Sequence, residues 1–193
     1  MKFTQIPADT FKQIVLNAGI LLKSFTPNTG AFSAPDIVGA TTGGITFEAT
    51  PTFSDFGEDI DNCPKNTMEL KKLDSWEVKM SGTYVALTAE IAKSVISAAD
   101  ISDIKITPRN DIDLADFSDL WFVADYSNLN GETNGGFCAI HLLNALSTSG
   151  LKIQSSDKAK GQFAFEYTAH YSISKPDIVP FEVYIKAGTE EAA

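Results

Sequence analysis

Asp59, Asp61 and Asn62 stand where a calcium-binding loop would begin, since a hard cation is gathered by carboxylate and amide oxygens at alternate loop positions. The pattern stops there, because Cys63 and Pro64 occupy the places of a further oxygen ligand and of the turn glycine. An acidic loop facing solvent or a partner fits these residue types better. The two histidines, His141 and His170, would need a neighbouring nucleophile to do hydrolytic chemistry, and no GxSxG or comparable signature accompanies either. A glycosidase pair of carboxylates is equally unconstrained, because its defining separation is spatial. The glycine-rich stretches at 39–44 and 131–136 do not run into Gly-Lys-Ser/Thr, so they read as turns and not as phosphate cradles. Cys63 and Cys138 are too few and too far apart for a redox or zinc pattern and read as buried or half-buried thiols. No catalytic, cofactor-binding or metal-ligating residue is assigned.

The chain that carries these groups has 193 residues, 44% of them hydrophobic and 21% charged, with a net charge of −10. That is the size of one domain, able to bury roughly 70% of its unfolded surface without disulfides or a structural metal. The cations are lysines apart from one arginine, Arg109, so the arginine forks and basic footprint of a nucleic-acid reader are missing. The N-terminus lacks the basic-then-apolar order of a signal peptide, and no apolar run approaches the ~20 residues of a membrane span. Synthesis in the cytoplasm is expected.

Hydrophobic periodicity supplies the elements. Phe11, Ile14, Val15 and Ala18 fall at helical spacing between a capping Asp9 and a stop at Gly19, predicting a short N-terminal helix followed by an apolar strand to Phe25. From Ile45 the period is two: Ile45, Phe47, Ala49, Pro51 and Phe53 face one way, threonines and Glu48 the other, with Pro51 marking a sheet edge or a bulge. Trp76, Val78, Met80, Tyr84 and Ala86 repeat the pattern over 75–87, with a bend at Gly82. Thr88 caps a flanking helix whose stripe is Ile91, Val95, Ala98 and Ala99 and which ends near Asp100. A strand at 103–107, an acidic connection through Asp111, Asp113 and Asp116, a strand apolar on both faces at 119–126, and a stretch at 137–146 that fits strand or helix and is read as strand for its glycine-bounded position follow. A long strand over 162–173 and a last one over 179–185, with Val183 and Ile185 inward, close the chain. The fold class is mainly β, an antiparallel sandwich or barrel with one flanking helix and a short N-terminal helix.

Two features exceed an ordinary sandwich. The connection from Ser54 to Asp74 is longer than the 12 to 15 residues at which loops become unusual, and its charges are segregated, Asp55, Glu58, Asp59 and Asp61 preceding Lys65, Lys71 and Lys72. The strands also pair an apolar face with one of Thr, Ser, Gln, Glu and Lys, which either meets bulk water or lines a lumen built by several copies.

Residues 39 to 84, opening GATTGGITFEATPTF and closing SWEVKMSGTY, resemble the major tail (tail tube) proteins of long-tailed phages and prophages of Gram-positive bacteria. The likeness continues through Asn144-Ala145-Leu146-Ser147, Gly150-Leu151, Lys160 to Thr168 with His170-Tyr171, and Pro180 to Tyr184. The resemblance implies a tail tube sandwich or barrel over residues 1–193 whose copies form six-membered rings stacked into a hollow tube. It implies a virion tail location, and tape measure, tail terminator and baseplate or distal tail proteins as partners. It implies no cofactor, and DNA only as non-binding cargo that slides past an acidic wall. The long loop occupies the place of the family's inter-subunit arm, and Asp55, Glu58, Asp59, Asp61 and Asn62 are carried over to it as contacts. An immunoglobulin-like C-terminal domain, present in some members, is not expected. The rival expectation is a monomeric β-sandwich binding module of carbohydrate-binding or adhesin type; an acidic β-rich hydrolase is weaker, for want of a catalytic constellation.

Overall fold

The computed structural model describes residues 6–7, 9–126 and 135–189. In chain order its strands and helix are β1 (Val15–Leu22), β2 (Thr41–Asp55), β3 (Lys71–Tyr84), α1 (Ala89–Ile96), β4 (Ala99–Ser102), β5 (Lys105–Pro108), β6 (Ser118–Tyr126), β7 (Gly136–Ser147), β8 (Lys152–Gln154), β9 (Gln162–Thr168) and β10 (Phe181–Lys186). Among the described residues every strand pairing is antiparallel. The molecule is mainly β with one α-helix and short 3₁₀ turns, consistent with a sandwich.

One sheet runs β1-β6-β7-β10 and the other β2-β3-β9, with β8 on the far side of β9. Strand β7 belongs to both: Phe137–Leu142 lies between β6 and β10, while Leu146 and Ser147 pair with Thr168 and Tyr167 of β9. Asn144 makes the change of sheet possible with φ +49, a left-handed value that asparagine tolerates better than most residues.

Because strand side chains alternate, neighbours go to different places. Leu21 enters the main core with Val78, Met80, Tyr84, Val95, Leu142 and Phe165. Leu22 enters a second cluster with Phe25, Trp121 and Ala139. Each fully buried aliphatic side chain there contributes about 1.5–3 kcal/mol. Helix α1 closes the main core: Thr88 Oγ1 accepts from Ile91 N at 3.2 Å, and Ile91, Ala92 and Val95 point inward. Strand β2 is the outer edge of its sheet, which is why Pro51, lacking an N–H, is tolerated in it.

The sequence reading needs several corrections. The N-terminal helix is only a 3₁₀ turn, Thr10–Gln13, and Asp9 makes no side-chain cap. Val15 and Ala18 instead belong to β1, paired with β6, and Gly19 is a bulge at φ +67. Helix α1 ends at Ile96, since Ser97 at φ +78 turns the chain and Ala99 opens β4. The strand at 103–107 is half of a hairpin, β4–β5, with Asp103 in its turn. The strand from Gln162 stops at Thr168, five residues early, and Ile173 is fully exposed. Phe53 turns outward because the register with β3 shifts between Thr52 and Phe53, and Val183 and Ile185 lie exposed on β10. The loop residues 128–134 fall outside the described residues.

Candidate functional site

The long hairpin β2–β3 carries the candidate residues at its tip. The 56–70 connection is organised by Asp55, whose carboxylate accepts from Gly57 N at 2.9 Å and from Asn66 N at 2.8 Å. Those two backbone donors, with Lys71 and Lys65 nearby, hold the Asp55 carboxyl below its ordinary range. Gly57 is buried against Cys63, Asp55 and Leu70, where a side chain would crowd the loop. Cys63 Sγ faces Thr67 Oγ1 at 3.4 Å, and Thr67 Oγ1 donates to the Pro64 carbonyl at 2.7 Å. Asn62 and Asn66 take left-handed turns at φ +60 and +61. The loop is thus an ordered knob closed by its own backbone.

The predicted contact residues divide. Asp55 faces inward as the loop's organiser, and Asn62 serves a turn. Glu58 faces Lys65 across the loop at 4.0 Å, and Lys71 donates to Asn66 Oδ1 at 3.4 Å while lying 5.0 Å over the Phe53 ring. Asp59 and Asp61 are exposed and, among the described residues, have no ion pair. Around these charges Phe53, Phe56, Ile60, Met68 and Leu73 are exposed, Met68 by 81%. Sequence reasoning missed this apolar skirt, since periodicity had assigned Phe53 to the core and said nothing about the loop.

The other chemistry-bearing groups make contacts within the fold. His141, on β7, stacks on Trp121 at 3.8 Å and 8°, with Glu182 Oε2 3.3 Å from Nδ1 and Asp119 Oδ2 3.2 Å from Nε2. Tyr184 Oη donates to the same Glu182 at 2.5 Å, and that bond, followed by His141, lowers the Glu182 pKa. His170 lies past the end of β9, its Nδ1 3.2 Å from Asn144 O. Arg109 grips Asp116 through both carboxylate oxygens at 2.6 and 2.7 Å, bonds Asp113, and sits 3.2 Å from Asp100. No spacing rule announced that cluster; only its being the sole arginine drew attention. Among the described residues no group of three or more His, Cys, Asp or Glu is placed to hold a metal ion, and no helix is long and apolar enough to cross a membrane.

Comparison with protein-family models and with curated proteins finds no match.

Proposed function

We propose that this chain is a structural virion protein, the subunit of a phage tail tube, which assembles with copies of itself into stacked rings, six to a ring, through which DNA passes. The observation that carries it is the unfinished surface of the single chain. Its accessible area is 13019 Å², against about 8,900 Å² for a compact monomer of its mass. Discounting each residue outside the described set at the ~160 Å² of a fully extended residue still leaves roughly 10,000 Å². The surplus is apolar in the places that matter. Phe53, Phe56, Ile60 and Met68 crowd one hairpin tip, and Val183 and Ile185 lie on edge strand β10. Exposed apolar patches and unpaired edges of this length are liabilities in a monomer and contact surfaces in a polymer.

The polar face of β2, β3 and β9 suits the lumen. It presents threonines and serines with Glu48, Glu77 and Glu166, against Lys79, which Glu77 already pairs at 2.5 Å, and Lys152 of the neighbouring β8, opposite Ala164. A wall of hydroxyls and net negative charge offers a DNA backbone nothing to release counterions onto. The mature location would be the virion tail, with tape measure, terminator and baseplate proteins at the tube's ends.

Negative-stain microscopy of the purified protein concentrated to the millimolar range, with light scattering on the same sample, tests this. Rings or tubes are expected. A 20.8 kDa monomer at every concentration overturns it and favours the monomeric binding module.

A further inference from the structure

Strand β7 leaves one sheet for the other around Asn144, and the change of sheet opens a wedge beside the core. Its register with β6 slips there, so that Ser118 stands opposite Ala145 while Leu120 stands opposite Leu142. Protein interiors are otherwise packed as tightly as organic crystals, and a gap survives where the facing side chains are too small to meet. Here they are Ala145 on β7 and Ser94 on α1. A cavity of about 300 Å³ lies at this place, walled by Ser118, Asp119 and Leu120 of β6 and reaching Tyr167 of β9. Val38 and Ile91 extend its apolar lining. Ile91, Leu120, Ala145 and Tyr167 are all buried, so the space runs into the core.

The polar groups around it are few, and those at the rim are already paired. Lys23 Nζ donates to Glu90 Oε2 at 2.9 Å, which holds the Glu90 carboxyl below its ordinary range. Asp119 Oδ1 accepts from Asn144 N at 3.0 Å, and its Oδ2 lies 3.2 Å from His141 Nε2. A charged ligand would have to break one of these pairs. Deeper in, Ser94 Oγ lies 2.9 Å from Tyr167 Oη. The wholly buried Tyr84 has its hydroxyl beside that of Tyr167 and no other hydrogen-bond partner among the described residues. Three hydroxyls joined by two links keep one proton over. Only the order Tyr84 to Tyr167 to Ser94 spends both tyrosine protons, and it leaves the Ser94 proton for an oxygen in the cavity. The rim carboxylates keep lone pairs for a proton on that oxygen. An apolar cavity of roughly 150 Å³ accepts benzene, so one ring with a short substituent fits here.

We infer that this cavity binds a small neutral aromatic alcohol, its ring against Val38, Ile91, Leu120 and Ala145 and its oxygen accepting from Ser94. The site lies within one copy and stands apart from the tube-subunit reading. The test is an amide NMR titration of the dilute full chain with benzyl alcohol and with toluene, which has the same ring and no oxygen. Benzyl alcohol should bind saturably in the millimolar range, with shifts gathered on Ile91, Ser94, Leu120, Ala145 and Tyr167. Toluene should bind about tenfold more weakly, the worth of one hydrogen bond. Ser94→Ala should bring benzyl alcohol down to the toluene affinity and leave toluene as it was, a split that a general loosening of α1 would not produce. Shifts that fail to saturate or that fall elsewhere overturn the inference. So does toluene binding as tightly as benzyl alcohol, or a Ser94→Ala chain that binds both as wild type does.

Discussion

At the scale of single residues, Gly19 is the least replaceable position in β1. Its φ is +67, and an added Cβ would sit 2.4 Å from Phe122 Cε2 and 2.8 Å from the Val123 carbonyl. Strain and overpacking together should make Gly19→Ala cost about 2–4 kcal/mol in urea unfolding; a loss under about 0.5 kcal/mol would mean that the bulge relaxes freely. Glu182 supports a pH prediction. Its folded pKa lies below the ordinary 4.5, so its contribution is complete above that value and fades as pH falls through the folded one. The difference in urea midpoint between wild type and Glu182→Gln should therefore be largest near pH 7 and shrink toward pH 3. A gap that stays constant with pH would assign Glu182 a purely packing role. Neither position was legible in the sequence: Gly19 reads equally well as a helix stop, and the partners of Glu182 come from β7 and from its own strand only after folding.

At the scale of elements, alternation and capping were enough to locate β2, β3 and α1, because each owns a one-sided pattern set by local spacing, whereas β7, buried on both faces, was legible as a strand only from its glycine-bounded position. They failed where pairing overrides spacing. Phe11, Ile14, Val15 and Ala18 fit a helix, yet Val15 and Leu16 find strand partners in Tyr126 and Asp125. The alternation through Tyr171 and Ile173 outlives its strand: Ala169 N still bonds Val78 O in register, but His170 N turns away to Leu143 O, and Tyr171 Oη takes the Trp76 N–H. The candidate loop was visible by its length and charge, but in its apolar skirt Phe53 and Leu73 are exposed at a register shift that no pattern announces, and Phe56, Ile60 and Met68 lie in a connection without periodicity. Because the loop contributes nothing to either core cluster, replacing residues 57–69 with a two-residue Asn-Gly turn should leave the melting temperature of the unassembled chain within a few degrees and abolish tubes; tubes from the shortened chain would remove the arm from the assembly. The β4–β5 hairpin depends on Arg109 instead. Arg109→Ala releases Asp100, Asp113 and Asp116 together, and amide exchange at Ile101 and Ile106 should accelerate while Val78 and Leu142 stay protected.

At the scale of the whole molecule, the proposed assembly would share one equilibrium with stability. Contacts made only between folded copies stabilise the folded state by mass action, so the melting temperature should climb by several degrees as concentration is raised through the assembly threshold. A value independent of concentration belongs to a monomeric module. The shared strand β7 has a further consequence, and it is mechanical. The two sheets hang in series on Leu143–Ala145, a stretch that Asn144 kinks. It is tied sideways by Asn144 N to Asp119, Asn144 Nδ2 to the His170 carbonyl, and Leu143 N to Pro180. A pull that separates the sheets passes through this junction, while a pull along β2–β3 loads a ladder running from Thr41 to Asp55 all at once. The hairpin is therefore the long continuous ladder of the subunit and the Asn144 junction the strand its two sheets share, the place where a subunit of the proposed tube would flex.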